Sequence, residues 1–281
     1  MTDARPELRP ADAATGPLFF HAVPPERVGP YALVPGDPNR IRLMAKMWDD
    51  ADEFDGDRGF RAAVGSYRGT PIAAFSSGIG GPSFEITLVD AARLGVNTFI
   101  RVGTTGALRE EIVCGDLVIN DASVRLDGTS RHYVRDEYPA AAAYEVTLAL
   151  VEACERLGVR YHVGAGATAA AFFTGQGRPS FEGYFPAHAQ SLISELQHAR
   201  VLNLEMEAAT LFTLARLFGL RAGAVCAVVA NRVTGDWDEG TEGIERACRV
   251  ASEAVRILAE WDRRVRAATK PRFFPGLPSS H

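Results

Sequence analysis

Lysine is almost missing from this chain of 281 residues: Lys46 and Lys270 stand alone, and arginine supplies the rest of the 30 basic residues. Such a bias follows genomic base composition, so function has to be read from where individual arginines fall. With 35 acidic residues the net charge is −5, which argues against sequence-independent binding to nucleic acid. An anionic ligand would need a local cluster of positive charge. Cysteine is scarce as well. Cys114, Cys154, Cys226 and Cys248 are far apart, form neither a metal-ligand nor a redox pair, and read as reduced packing residues. No metal site is expected. No apolar run approaches the ~18 residues of a membrane span. The polar N-terminal MTDARPELRPADAATG has no apolar core of a secretion signal, so the expectation is a cytoplasmic protein. Internal repeats and low-complexity stretches are absent. So is the GxGxxG fingerprint: SSGIGGPS (76–83) lacks that spacing, and the next strand carries Arg101 where a ribose-binding acid would stand, which argues against NAD.

What is present is enough apolar residue, 47%, to fill one large core. Short β-rich runs end in glycine turns at 31–36, 71–78, 97–103, 116–121, 161–169 and 222–230. Helical spacing predicts helices over 82–95, 141–158, 205–219 and 241–265, with Gly95, Gly158 and Gly219 placed to stop three of them in a left-handed turn. Strands alternating with helices predict an α/β single domain: a central mixed, largely parallel twisted sheet flanked by helices. The expected bounds are a flexible tail over 1–16, the domain over 17–268 and a second tail over 269–281. Ligands of such a sheet sit beyond the carboxyl ends of its strands.

Four stretches hold candidate chemistry. In VPGDPNR (34–40), Gly36 lets the backbone approach a ligand, the following helix start offers N–H groups to an anion, and Arg40 adds a charged fork; an ordinary strand-to-helix turn has the same form. In FIRVGTTGAL (99–108), alternation puts Ile100 and Val102 on one face and Arg101 on the other, beside Thr104. A buried guanidinium must be answered by an acid or by an anionic ligand. In AAFFTGQGR (170–178), Phe172 offers a ring face, Gln176 a donor and an acceptor, and Arg178 donors only, a set that suits the edge of a uracil ring. In NLEMEAATL (203–211), two carboxylates flank Met206. One reading is helix-terminus electrostatics with Asn203 as the cap, the other a ligand site.

Taken in order, VPGDPNR, SSGIGGPS, FIRVGTTGA, SVRLDG (123–128), FFTGQGR, NLEMEAATL and VVANR (228–232) resemble the nucleoside phosphorylase family of the hexameric and dimeric α/β type, and within it the branch acting on uridine. The match runs over most of 18–265. The resemblance implies that Gly36, Arg40, Arg101 and Thr104 hold phosphate, with Arg58 reaching across from a neighbouring subunit. It implies that Phe172, Gln176 and Arg178 hold the pyrimidine, with Arg232 orienting the last two. Met206 and Glu207 would hold the ribose, with His21 of a neighbour near the 5′-hydroxyl. The implied reaction is reversible phosphorolysis, uridine plus phosphate to uracil plus ribose 1-phosphate. Arg101, Thr104 and Glu207 would be closest to the chemistry, phosphate is a co-substrate, and no cofactor is needed. Shared sites imply a homo-oligomer, a dimer at least, with nucleic acid and membrane not among its partners.

Rival activities on this scaffold are purine phosphorolysis, hydrolysis by water, and nucleoside binding without turnover. Purine enzymes of the family carry an aspartate where this chain has Asn231-Arg232, and arginine cannot protonate a purine nitrogen at neutral pH. Gly59 stands where bacterial hexameric members have a cation-binding glutamate, so no potassium site is expected. Two segments stay open. Residues 179–200 differ from better-known members just after the base-reading arginine, and VTGDWDEG (233–240) reads equally as a flap over the base or as a solvated loop.

Overall fold

The computed structural model describes residues 21–238 and 240–277, so the N-terminal tail expected over 1–16 lies outside the described residues. Among the described residues, nine strands form one mixed sheet. They are β1 (Tyr31–Pro35), β2 (Asp50–Asp55), β3 (Arg61–Tyr67), β4 (Thr70–Phe75), β5 (Thr98–Ala107), β6 (Leu117–Leu126), β7 (Tyr161–Ala169), β8 (Asn203–Glu205) and β9 (Arg221–Asn231). Their order is β2-β3-β4-β1-β5-β8-β7-β6-β9, and a further pairing of β5 with β9 closes the last five strands into a ring. Pairing is parallel for β1 with β4 and β5, β5 with β9, β6 with β7, and β7 with β8; the other ladders are antiparallel.

Six helices cover the sheet: α1 (Asn39–Ala45), α2 (Gly81–Arg93), α3 (Tyr144–Leu157), α4 (Leu192–His198), α5 (Ala208–Leu217) and α6 (Thr241–Ala267). Strand alternation sorts the core into two layers. Leu33, Ile100, Val102 and Val225 pack with α1, α3 and α6, whereas Ala32, Val34, Phe99 and Ala224 pack with α2 and α5. Gly95, Gly158 and Gly219 do end their helices with positive φ, at 97°, 64° and 72°. Among the described residues no helix is long and apolar enough to cross a membrane.

Three features differ from expectation. β2, DADEFD, is a mostly exposed acidic strand without apolar alternation; besides its ladder to β3 it is held by Ala51 and Phe54, which pack on the two core layers, and by an Arg61–Asp55 ion pair at 2.8 Å. The helix expected from 205 starts at Ala208, because Leu204 pairs with both Gly106 of β5 and Ala167 of β7. The described part of the segment expected as a tail, 269–277, folds back on the body. Phe273 stacks on Trp261 with ring centroids 4.0 Å apart, the Tyr144 hydroxyl donates to the Phe273 carbonyl at 2.6 Å, and Leu277 is 2% exposed. Proline and glycine in KPRFFPGL (270–277) break regular structure without preventing two apolar side chains from joining the core.

Candidate active site

β1 stops at Pro35, opposite Val102 of β5, and β8 pairs with β5 only from Gly106 on, at Gly106 and Ala107. Between them, Gly103, Thr104 and Thr105 have no strand partner on that edge. A cavity of about 690 Å³ occupies the gap. The strand ends around it are those of β1 and β8, while β5 itself runs on past the 97–103 expected from sequence. Ten of the twelve residues singled out above line it: Gly36, Arg40, Arg58, Arg101, Thr104, Phe172, Gln176, Arg178, Met206 and Glu207.

Arg101 shares the Phe99 face of β5, so its side chain runs toward the start of α5 rather than toward α6. There it meets both carboxylates of NLEMEAATL: its Nε donates to Glu205 Oε2 at 2.8 Å and its Nη2 lies 2.5 Å from Glu207 Oε2. All three side chains are buried, at 5% exposure or less. Both sequence readings of the acidic pair therefore contain part of the answer. Glu205 Oε2 also accepts the backbone N–H groups of Glu207 at 2.8 Å and Ala208 at 2.9 Å, satisfying the exposed donors of a helix start. Asn203 does not cap that helix. It lies in β8, and its amide nitrogen donates to Thr105 Oγ1 at 2.8 Å and to Asn120 Oδ1 at 3.3 Å.

Burial works against the charge on Arg101, but Glu207 and Glu205 outweigh it and hold the guanidinium pKa above its ordinary value. Burial pushes the Glu207 carboxyl up; Arg101 pulls it down, and the adjacent Glu205 charge pushes it up again. Glu207 Oε1 accepts the N–H of Gly80 at 2.6 Å. That contact depends on the glycine loop before α2, where Gly78 and Gly80 have φ of 68° and 88°, a region side chains avoid.

Arg40 enters from α1, donating from Nη1 to the Val102 carbonyl at 3.1 Å and approaching Thr104 Oγ1 at 3.5 Å. Its Nε has no hydrogen-bond partner among the described residues. Burial first, then the nearby Arg101 charge, lowers its pKa. Two mutually repelling guanidiniums, one of them incompletely satisfied, form a place where an anion relieves strain. Gly103 makes the close approach possible: a Cβ there would lie 2.8 Å from Arg101 Nη2 and 2.7 Å from Cys226 Sγ.

The second group of residues comes from the loop after β7. Arg178 donates to Gln176 Oε1 at 2.7 Å and to the Phe172 carbonyl at 3.1 Å, and its guanidinium sits 4.5 Å from the Phe172 ring centroid. Arg232 lies behind this loop and outside the cavity lining, donating to the Gln176 carbonyl at 2.8 Å. Burial, then repulsion from Arg232, lowers the Arg178 pKa to about 10. Gln176 is 4% exposed, and its carbonyl oxygen keeps a second lone pair while its amide keeps both donors. Asn231 is fully used by structure. Its amide nitrogen donates to Arg109 and Ile112 carbonyls, and its oxygen accepts the N–H groups of Val233 and Thr234.

Two residues are expected to serve a neighbouring subunit's site. His21 does not line the cavity: it is 1% exposed, its Nε2 lies 3.0 Å from the Ser76 carbonyl, and it packs against Phe60 and Phe75. Burial lowers its pKa, favouring the neutral ring. Arg58, expected to act across a subunit boundary, lines the cavity of its own chain, on a turn where its φ is 55°.

The sequence assigns no individual role to Glu205, Gly103 or Ile79, and offers Trp237 only as part of the 233–240 flap or loop. The need of Arg101 for a buried partner was the available signal for Glu205, and the glycine two residues on was the signal for Gly103. Ile79, which looks like an ordinary loop residue in the sequence, and Trp237, from the 233–240 stretch read as flap or loop, both line the cavity although largely exposed. Among the described residues no group of three or more His, Cys, Asp or Glu gathers in a way that would hold a metal ion.

Comparison with known proteins agrees with this geometry. The phosphorylase superfamily matches residues 30–260. A uridine phosphorylase of Thermococcus kodakarensis is 53% identical over 262 residues, 93% of this chain and 94% of the relative. A uridine phosphorylase of Escherichia coli is 40% identical over 83% of this chain and 91% of its own length. A guanosine phosphorylase of Halorubrum lacusprofundi is 35% identical over 81% and 93%. The gap beside β5, filled by paired arginines and buried carboxylates, and a match spanning most of the sequence make this chain a member of the phosphorylase superfamily.

Proposed function

We propose that this protein catalyses the reversible phosphorolysis of uridine, giving uracil and ribose 1-phosphate. The observation that carries the reading is Arg101, buried between Glu207 and the incompletely paired Arg40. This arrangement supports an anion and a sugar diol side by side. Phosphate binds to Arg40, Arg101 and Thr104, with Gly36 admitting close backbone approach and Arg58 at the rim. Glu207 turns from Arg101 to accept hydrogen bonds from the 2′- and 3′-hydroxyls, and Met206 supplies an apolar floor.

In the reaction the C1′–N1 bond breaks and its electron pair moves into the pyrimidine ring, where Gln176 and Arg178 stabilise the charge on the carbonyl oxygens. The Glu207 carboxylate favours the positive charge developing on the sugar. A phosphate oxygen bonds to C1′ from the opposite face, and the proton of hydrogen phosphate ends on uracil N1, directly or through solvent. Arg232 keeps the base-reading loop in place through the Gln176 carbonyl. No cofactor takes part. The working form is a homo-oligomer, a dimer at least, within the cytoplasm.

The guanosine-cleaving relative makes purine the competing base. The base loop argues for pyrimidine: Arg178 and Arg232 only donate, and Asn231, where an acid would be needed, has both ends of its amide occupied. The test is a panel of uridine, thymidine, cytidine, inosine, guanosine and adenosine, each with and without phosphate. Uridine should be cleaved only with phosphate, and cytidine should fail because its 4-amino group meets a donor-only arginine. Efficient cleavage of inosine or guanosine would overturn the assignment.

A further inference from the structure

We infer that Thr168 is a positioning residue for the anion half of the site, acting on Arg101 through Glu205, with Ser123 behind it; this rests on the phosphorolysis reading above. Thr168 is fully buried on β7, level with Glu205 in the parallel ladder to β8, and does not line the cavity. Its hydroxyl donates to Glu205 Oε1 and accepts the N–H of Ala209 at 2.8 Å. Ser123 Oγ lies 2.8 Å away. Because a carboxylate only accepts, the single hydrogen of Thr168 is committed to Glu205, and Ser123 must donate in its contact with Thr168. The threonine hydroxyl then makes one donated and two accepted bonds, its full capacity.

The consequence falls on Arg101. Glu205 Oε1 is fixed by Thr168, while Oε2 carries Arg101 Nε and two backbone N–H groups. A carboxylate held at both oxygens cannot turn, so Arg101 keeps its Nε edge inward and its Nη groups toward the cavity. When a ribose diol takes Glu207 away from Nη2, Glu205 is the acid that still grips Arg101. Without the Thr168 hydroxyl, Oε1 becomes a buried acceptor lacking its partner, the carboxylate rotates to find another, and the guanidinium follows.

Steady-state kinetics of T168V, T168S and S123A in the full chain, varying phosphate and uridine separately, test this. T168V keeps the β-branched shape and should raise the KM for phosphate about tenfold while uridine KM changes less than about threefold. T168S, which restores the hydroxyl, should stay within about threefold of wild type on both, and S123A should raise phosphate KM by about threefold. Both KM values rising together in T168V, or a lowered Tm with phosphate KM unchanged, would show a merely structural role and overturn the inference. T168S as impaired as T168V would do the same. Should T168V not fold, S123A and T168S decide between these outcomes. If the wild type does not turn over uridine, the phosphorolysis reading falls by itself. Calorimetric titration of inorganic phosphate into wild type and T168V then tests the positioning role: weaker binding in T168V supports it, and equal binding or none in the wild type overturns it.

Discussion

Arg101 Nη2 lies 2.5 Å from Glu207 Oε2, so the two side chains assigned to different substrates are bonded to each other. On the proposed reading, phosphate and nucleoside each compete with an internal ion pair. Glu207 leaves Arg101 only if the diol repays the lost contact, and phosphate repays Arg101. This couples the two half-sites without any movement of the sheet.

Glu207→Gln separates the two roles. Uridine kcat/KM should fall by at least about a hundredfold, since the charge that favours the developing cation is gone. Phosphate binding alone, followed calorimetrically, should be unchanged or tighter because Arg101 loses an internal competitor. The gap in kcat/KM between uridine and 2′-deoxyuridine should narrow in the same variant. Phosphate affinity falling as far as uridine affinity would count against separate half-sites.

The pH dependence follows from the raised Glu207 pKa. The carboxyl must be ionised to accept two hydroxyl hydrogens, so uridine kcat/KM should climb with pH through a window above the ordinary glutamate value of about 4.3. A raised acid holds its proton more tightly in the folded state. Its stabilising contribution is therefore full below the unfolded pKa and is lost as pH rises through the folded one. Activity and this part of stability move oppositely across the window. A pH profile of Glu207→Gln should lack the acid limb.

Gly103→Ala places a methyl 2.7 Å from Cys226 Sγ and 2.8 Å from Arg101 Nη2. One of them must move, and the guanidinium end is the more mobile. Phosphate KM should rise about tenfold with a stability loss of about 1–3 kcal/mol, read from kinetics and thermal melting. Cys226→Ala in the same chain opens space and should return part of both losses, a coupling that independent sites would not show.

Phe273→Ala tests the C-terminal clasp. The side chain is 7% exposed, stacks on Trp261 and lies 5.5 Å from the Arg264 guanidinium. Its loss should cost about 2–4 kcal/mol and lower the Tm by several degrees while leaving both KM values within about twofold. A Tm equal to wild type would mean that residues 270–277 lie on the body without bracing it.

Local spacing carried much of this protein. Alternation along FIRVG set Arg101 apart from Ile100 and Val102, and the helices stop at the glycines expected to stop them, because both features are consequences of backbone geometry within a few residues. The FFTGQGR stretch likewise shows its chemistry within one loop, where Arg178 touches both Phe172 and Gln176.

Partnership across the fold was settled elsewhere. Arg101 and Glu205 are 104 residues apart, and Thr168 and Glu205 are 37 apart. The sequence states that a buried guanidinium needs an acid but not which one, and nothing in YHVGAGATA marks its threonine as that acid's anchor. β8, three residues long, exists only because β5 and β7 offer it ladder partners, and His21 packs against Phe60 and Phe75, 39 and 54 residues further along the chain. Covalent geometry fixes what a residue can offer. Only the crossing of distant segments, with every buried charge and hydrogen-bonding group competing for a partner, decides what receives it.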